Sequence, residues 1–188
     1  MTPNEKVPPF NILLDPLPED IDGFVIRTDY RVGIQIALCL EDRQLNDNER
    51  TFMALSLLYG RGLPPLEAAL VGMDWYMRCG QPRSEGGGKQ MLWLDYDAAR
   101  IYASFRQTFG IEIHRSKLHW FEFMSMLDSL DEDSSLAHAM QIRGTDTSTM
   151  KGKERAQFER MKRLLTPVPD FTDEEQSVID DFYSKINA

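Results

Sequence analysis

Large apolar residues recur at helical spacing between Leu94 and Leu130, and this stretch holds the strongest hydrophobic pattern in the chain. In its first half the apolar residues follow the spacing of one helix face. They are Leu94, Ala98, Ile101, Tyr102, Phe105 and Phe109. Gly110 is predicted to end this helix, because glycine adopts the left-handed conformation after a helix at little cost.

A second helix is predicted after a short extended link at Ile111–Ile113, with Ser116 as its N-cap. Its inward face carries Trp120, Phe123, Met124, Leu127 and Leu130. Burial of each large apolar side chain is worth about 1.5–3 kcal/mol. We therefore expect the hairpin Leu94–Leu130 to form the core against which the other elements pack.

Three helices are predicted before this hairpin. The first runs from Tyr30 to Leu45. The second begins after Asn46, which forms a capping box with Glu49, and it ends at Gly60. The third starts at a pair of prolines, which are tolerated in a first helical turn, and ends at Gly80.

Three more helices are predicted after the hairpin. A short one starts at Asp131–Ser134, a basic amphipathic one runs from about Met150 to Leu165, and a last one begins with a capping box of Thr172 and Glu175. No segment of useful length alternates apolar and polar residues as a half-buried strand does. The sequence therefore predicts an all-α, single-domain bundle of about eight helices around the central hairpin.

The predicted boundaries divide the chain into three parts: a proline-rich extended arm at residues 1–25, a helical domain at residues 26–165, and a capped acidic helix at residues 166–188. The arm either lies on the body of the protein or reaches for a neighbour. Residues 81–90 contain three consecutive glycines and are predicted to be a flexible loop. This loop lacks the first glycine and the Ser or Thr of a phosphate-binding loop.

Composition narrows the classes of function. The net charge of −9 argues against nucleic-acid binding, because a phosphate backbone selects a basic surface. The N-terminus lacks the pattern of a signal peptide, and no apolar run reaches the length of a membrane span. Cys39 and Cys79 are interpreted as buried free thiols, which fits a reducing compartment. The sequence thus predicts a cytoplasmic protein with neither nucleic acid nor membrane as a partner.

The polar groups with the greatest potential for chemistry are Asp95, Asp97, Glu112, His114 and His119. The two aspartates diverge on a helix, and the two histidines lack the i, i+4 spacing of a metal pair. His119, beside Trp120, is interpreted as a hydrogen-bonded structural residue. The sequence therefore predicts no enzyme, no cofactor and no metal. A metal-dependent hydrolase that uses Asp95, Asp97, Glu112 and His114 remains the alternative, because sequence does not show how distant helices converge.

Two features favour protein binding. The chain has ten methionines, which fill irregular cores and also suit surfaces that accept varied apolar partners. Phe121 and Met126 lie off the inward stripe and are the predicted surface candidates. The second feature is a basic helix with Arg155, Arg160, Lys162 and Arg163, followed by an acidic segment. These cations either face solvent, contact the acidic tail, or bind an acidic partner.

A composite of residues in the hairpin resembles the bacteriophage gp-fifteen family, small proteins usually encoded between the major tail protein and the tape measure. The matching residues are Asp95–Asp97, Ile101–Phe105, Phe109–Ile113, Leu118–Trp120, Phe123 and Leu127, with Leu57–Tyr59 and Gln141–Arg143 outside the hairpin. The structural core motif comprises Phe105, Phe109, Gly110, His119, Trp120 and Phe123. The family tends to have Tyr before the glycine and Asp-Leu after the isoleucine, where this chain has Phe109 and Glu112-Ile113.

This resemblance, which covers about residues 26–165, implies a role in tail assembly of a siphophage or prophage. It implies a chaperone that holds the helical tape measure protein, and thus the tape measure or tail protein as partner, in the host cytoplasm. A structural head–tail joining protein is a second alternative, and self-association is left open. An amphipathic helix is the expected ligand, because such helices bind apolar grooves through anchors at i, i+3, i+4 and i+7.

Overall fold

The protein is described here by a computed structural model that covers residues 10–83 and 90–167. The described part is mostly helical, with seven α-helices, one 3-10 turn and one two-stranded sheet. The strands are β1 (Asp20–Ile21) and β2 (Phe24–Val25), and the helices are α1 (Tyr30–Glu41), α2 (Asp47–Tyr59), α3 (Leu66–Met77), α4 (Ala98–Phe109), α5 (Trp120–Asp128), α6 (Ser135–Gly144) and α7 (Gly152–Leu165). The 3-10 turn spans Ile113–Arg115.

The predicted helix-rich fold is confirmed, but its details differ. The prediction contained no strand, whereas the chain forms a small β-hairpin. Of about eight predicted helices, seven are found in the described residues, and the predicted helix at Thr172 lies outside them, as do the glycines of the predicted loop. No helix in residues 10–83 and 90–167 combines the length and the apolar character needed to cross a membrane.

The chain divides by its internal contacts into two units, Met1–His138 and Ala139–Ala188. In the first unit, α1 and α2 form the most extensive helix contact, and α5 packs on both α1 and α4. The predicted arrangement, with the Leu94–Leu130 hairpin as the sole centre, is therefore not matched. The second helix of this predicted hairpin, α5, is central, but α5 contacts α1 more extensively than it contacts α4, the first helix of the hairpin.

Aromatic rings fill the core around α5. The Phe123 ring stacks on Tyr30, Phe105 and Trp120, with ring centroids 5.0, 5.4 and 5.7 Å away. Gly33 of α1 makes room for Trp120, because a Cβ at Gly33 would overlap the indole ring. The other buried apolar residues include Ile26, Ile36, Leu55, Leu58, Tyr59, Met73, Tyr76, Ile101, Leu127 and Leu136.

Helix ends follow the predicted local signals in α2 and α4. The Asn46 side chain accepts hydrogen bonds from the Asn48 and Glu49 amides. The Glu49 carboxylate accepts from the Asn46 amide, which completes the capping box. Gly60 ends α2, and Gly110 ends α4 in the left-handed conformation at φ 68°. These three predictions are confirmed.

Other predicted helix ends were wrong. α1 stops at Glu41 instead of Leu45, and α4 starts at Ala98 instead of Leu94. Ser116 does not cap α5; its amide donates to the Ile113 carbonyl and its hydroxyl to the Glu112 carbonyl. The N-cap is His119, which forms a capping box with Glu122. Its place is fixed by the backbone, because the Trp120 amide donates to the Thr28 carbonyl at 2.9 Å.

The described part of the arm lies on the first unit. The Phe10 amide donates to the Gly80 carbonyl at 3.2 Å, and β1 pairs with β2 in the register Asp20↔Val25. Asp22 and Gly23 form the turn, both with positive φ, as a two-residue hairpin requires. The arm is thus tied down at both of its described ends.

In the second unit, side-chain cations hold the end of α7. Arg143 Nε donates to the Leu165 carbonyl at 2.8 Å, and Lys162 donates to the Thr145 carbonyl. Carbonyls of a last helical turn have no partner within the helix, so such donors stabilise them. The end of α7 is therefore anchored to Arg143 in the last turn of α6 and to Thr145, which follows α6.

Candidate functional site

A cleft of about 620 Å³ lies in the first unit, between the arm, the end of α3 and α5. We call it the arm cleft. Its walls are formed by Phe10–Leu13 of the arm, by Met77, Arg78, Cys79 and Gln81, and by Phe121, Met124, Ser125 and Asp128. The four residues of α5 follow the spacing i, i+3, i+4 and i+7, so they form one face of that helix.

The floor of the arm cleft is built by aromatic packing. The Phe121 ring contacts the rings of Phe10 at 4.9 Å, Tyr76 at 5.4 Å and Trp75 at 5.7 Å. Gly80 lets the arm come close, because a Cβ there would overlap the side chain of Phe10. The cleft therefore exists only when the arm, α3 and α5 are assembled.

The wall combines apolar side chains with the polar side chains of Asn11, Arg78, Gln81, Ser125 and Asp128. Arg78 donates to Asp74 at 2.6 Å and to the Gln81 carbonyl, while its buried Nε has no acceptor in the described part of the chain. Burial raises the pKa of the Cys79 thiol to about 12, so the thiol stays protonated near neutral pH. Partial burial also raises the pKa of the Asp128 carboxyl. The arm cleft therefore suits an amphipathic partner, with apolar anchors and a polar flank.

His119 fixes the arm and the start of α5 together. Its Nδ1 accepts a hydrogen bond from the Phe121 amide at 3.0 Å, and its Nε2 lies 3.0 Å from the Pro18 carbonyl. Since Nδ1 accepts, Nε2 carries the proton and donates to Pro18. Burial lowers the pKa of His119. This is the structural, hydrogen-bonded role that the sequence indicated.

The prediction that Phe121 lies on the surface was wrong. Its side chain is only 2% exposed, because the arm and α3 cover the side of α5 that helical periodicity left outside. Met124, expected to face inward, is half-buried and lines the arm cleft instead. Met126 is half-buried and does not line the cleft. An aspartate at position 121 would therefore test folding, and Met124 is the better position for testing binding.

The predicted basic surface lies on α7. Arg155, Arg160 and Arg163 are exposed, and Arg155 pairs with Glu159 at 2.7 Å. Lys162 is half-buried where it binds the Thr145 carbonyl. These cations and the arm cleft belong to different units, so each is a separate candidate surface.

Most of the predicted core motif is buried as expected. Phe105, His119, Trp120 and Phe123 are buried. Phe109 is half-buried and packs edge-on against Phe105 at 5.6 Å. Gly110 is exposed and provides the left-handed turn.

The residues of the hydrolase alternative have structural partners. Asp97 is fully buried and accepts from Arg100 at 3.0 Å and from the Trp93 amide at 3.2 Å. Asp95 is exposed and accepts from the Tyr96 amide at 2.6 Å.

Glu112 pairs with Arg115 at 2.9 Å, and exposed His114 lies 5.5 Å from the Tyr102 ring. Within residues 10–83 and 90–167, no group of three His, Cys, Asp or Glu side chains is placed to hold a metal ion.

Sequence reasoning missed the role of the arm in this site. Phe10 and the run Ile12–Leu14 were the available signal, because apolar residues inside a proline-rich segment have a reason to be buried or bound. Leu13 remains 89% exposed at the cleft edge. Met77 and Met124 were noted for their residue type, but only the fold shows that they share one wall.

Comparison with known proteins agrees with the resemblance carried by the hairpin. Residues 13–166 match the family model described as Bacteriophage Gp15 protein. Searches of curated proteins and of solved structures gave no match. The matched region begins in the arm, contains α1 to α7 and covers well over half of the sequence. The chain therefore belongs to the bacteriophage Gp15 protein family.

Proposed function

We propose that this protein is a non-enzymatic tail assembly factor of a phage, a chaperone that binds the helical tape measure protein in the host cytoplasm. The observation that carries the proposal is the family match over residues 13–166, which indicates a phage structural or assembly protein. The narrower role as a chaperone rests on the family resemblance and on the arm cleft.

The arm cleft supports a helical ligand. Its apolar wall contains Met77 and Met124, whose flexible side chains adapt to different apolar anchors. An amphipathic helix would place its apolar face in the cleft, with exposed Leu13 at the edge. Arg78 and Asp128 would meet the polar flank of that helix. The tape measure is the proposed source of such a helix, because it is long, helical and prone to aggregation before tail protein surrounds it.

The proposal is tested by co-expression with the tape measure protein of the same genome, followed by size-exclusion chromatography with light scattering. The expected result is a soluble tape measure that co-elutes with this protein, and the mass of the complex then gives the stoichiometry. A tape measure that stays insoluble while this protein elutes alone would contradict the proposal. A discrete high-order ring without the partner would instead favour the head–tail joining alternative.

The same experiment tests three candidate binding sites: Met126 and the cations of α7, which the sequence suggested, and the arm cleft, which the structure shows. If Met126 binds the partner, as its position off the inward stripe suggested, Met126→Asp releases the tape measure. If the arm cleft is the site, Met124→Asp releases it and Met126→Asp does not. For the cations of α7, simultaneous reversal of Arg160 and Arg163 to glutamate tests whether an acidic partner depends on them.

A further inference from the structure

An apolar stripe on α3 continues out of the arm cleft. It consists of Leu66, Leu70 and Met77, whose spacing places them on one side of the helix, and we call it the α3 stripe. Met77 is part of the cleft wall, whereas Leu66 and Leu70 are exposed beyond it. The stripe extends about 17 Å along α3, or about three helical turns. The apolar surface is therefore longer than the cleft itself.

The composition of α3 indicates that this stripe has a partner. Ten of its twelve residues are uncharged and apolar, which is typical of a helix that is covered on all sides. Asp74, between Leu70 and Met77 in the chain, pairs with Arg78 at 2.6 Å and with Arg83 at 3.2 Å. The charge beside the stripe is thus compensated, so it does not oppose the approach of an apolar face. Exposed apolar surface of this kind marks sites of interaction.

Charge narrows the chemistry of the partner. The described residues of the first unit, 10–83 and 90–138, contain nineteen carboxylates and eleven cations, a net charge of −8. A second copy of this unit would bring the same negative charge and would be repelled. A basic partner would be attracted, because complementary charge favours encounter and selects between partners.

Two carboxylates flank the apolar surface at the positions where cations would be needed. Glu67 is one helical turn from Leu70, and Asp128 is one turn from Met124 in the cleft wall. In the part of the chain that the structure describes, neither carboxylate forms an ion pair. A partner with cations along the flank of its apolar face therefore fits both positions.

We propose that the α3 stripe and the arm cleft form one docking surface for a basic amphipathic helix. The apolar face of that helix covers the α3 stripe and Met124, as in other helix-in-groove complexes, and its Lys or Arg side chains face Glu67 and Asp128. This inference rests on the proposed use of the arm cleft for partner binding. It adds the extent of the surface and the charge of the partner.

Two synthetic helices test the charge of the partner with the full-length protein. Both have about 20 residues, enough to cover the α3 stripe and reach the cleft, and both present the same leucine face. One has lysine and the other has glutamate on the polar face. Fluorescence anisotropy is expected to show about tenfold tighter binding of the lysine helix, with a smaller difference at high salt. Equal binding of the two helices, tighter binding of the glutamate helix, or binding of neither would overturn the proposal.

A matched pair of substitutions tests the extent of the surface. Leu66 and Val71 are 61% and 67% exposed on the same helix, but they lie about 140° apart around its axis. Leu66→Gln is expected to weaken binding of the lysine helix about tenfold, because a leucine contact is lost. Val71→Gln should leave the affinity unchanged, and circular dichroism checks that both variants are folded. The same affinity in the two variants would show that the partner does not reach the α3 stripe.

Removal of charge tests the two flanking carboxylates. Glu67→Gln with Asp128→Asn is expected to remove most of the preference for the lysine helix over the glutamate helix. The control, Glu41→Gln with Asp95→Asn, removes the same charge from exposed residues of the first unit that lie outside α3 and the cleft, and it should keep the preference. A preference that survives in the first variant would contradict the assigned role of Glu67 and Asp128.

These outcomes separate the docking surface from the chaperone role. If the lysine helix binds as expected while the tape measure protein stays insoluble in co-expression, the chaperone role is wrong and the docking surface stands. If the wild type and Leu66→Gln keep the tape measure equally soluble and bind the lysine helix equally well, the chaperone role stands. The extension of the surface along α3 is then wrong.

Discussion

Gly33 lies where α1 meets α5, and its lack of a side chain lets the Trp120 ring approach the backbone of α1. A Cβ at this position would overlap the indole, and Trp120 cannot move away because it stacks on Phe123. Close packing of this kind makes an added methyl group costly, since neighbouring side chains must leave their preferred rotamers. Gly33 therefore sets the distance between the two helices.

Gly33→Ala is expected to lower the free energy of unfolding by about 3 kcal/mol, as overpacking of a filled core does. Urea denaturation followed by circular dichroism measures this loss. Gly62→Ala is the matched control, because a Cβ at Gly62 meets only an ordinary contact with the Tyr59 carbonyl. Similar stabilities of the two variants would show that α1 and α5 do not approach each other in this way.

His119 gives the protein a pH-dependent stability. Burial lowers its pKa, while the Pro18 carbonyl and the carboxylates of Glu122 and Glu19 act in the opposite direction. The unfolded chain takes up this proton near pH 6.5, before the folded chain does. Stability is therefore complete above about pH 6.5 and falls as the pH drops through the lower folded pKa. Protonation also removes the Nδ1 acceptor that caps α5.

His119→Asn keeps an N-cap acceptor but does not titrate. The variant should lose less stability than the wild type when the pH is lowered from about 7 to about 5, in urea titrations at several pH values. Equal losses in the two proteins would contradict the assigned role of His119. The difference between the two proteins isolates His119, because all other titrating groups are shared.

At the scale of elements, the start of α4 depends on a buried carboxylate. Asp97 is inaccessible to solvent and binds Arg100 and the Trp93 amide, whereas Asp95, two residues earlier, is exposed. Loss of this buried carboxylate would remove its ion pair with half-buried Arg100 and the hydrogen bond that it accepts from the Trp93 amide. The position of Asp97 therefore matters for folding, although the sequence also offered it as a metal ligand.

Asp97→Ala is expected to lower the free energy of unfolding by about 2–3 kcal/mol, whereas Asp95→Ala should change it by less than about 0.5 kcal/mol. Thermal or urea denaturation of the two variants gives the comparison directly. The same samples can be heated with Mg²⁺, Mn²⁺ or Zn²⁺. Metal-dependent stabilisation of the wild type that Asp97→Ala abolishes would revive the hydrolase alternative.

The helix ends show what was predictable from sequence and what was not. The capping box of Asn46 with Glu49 and the turn at Gly110 depend on residues within one helical turn, so the sequence contains the full signal. The β-hairpin also had a local signal, the Asp22-Gly23 pair, but its strands of two residues are too short for alternation to be detected.

The burial of Phe121 was not predictable by the same means. Phe10, 111 residues earlier in the chain, covers it, together with Trp75 of α3. Helical periodicity assigns an inward face from one helix alone, whereas α5 is covered on more than one side. The arm cleft escaped sequence reasoning for the same reason, because its walls come from three distant parts of the chain.

At the scale of the whole molecule, the family match spans parts of both units, whereas the arm cleft belongs to the first unit alone. α7 belongs to the second unit and is a separate candidate surface. The arm cleft is the proposed binding site for the tape measure protein.

The most direct test of the chaperone account is co-expression of the tape measure protein with the wild type, Met124→Asp and Met126→Asp. Both substitutions place the same charge on half-buried methionines of α5, but only Met124 lines the arm cleft. The account predicts that the wild type and Met126→Asp keep the tape measure soluble and co-elute with it, whereas Met124→Asp elutes alone and remains helical. A tape measure that is insoluble with the wild type, or equally soluble with all three proteins, would contradict it.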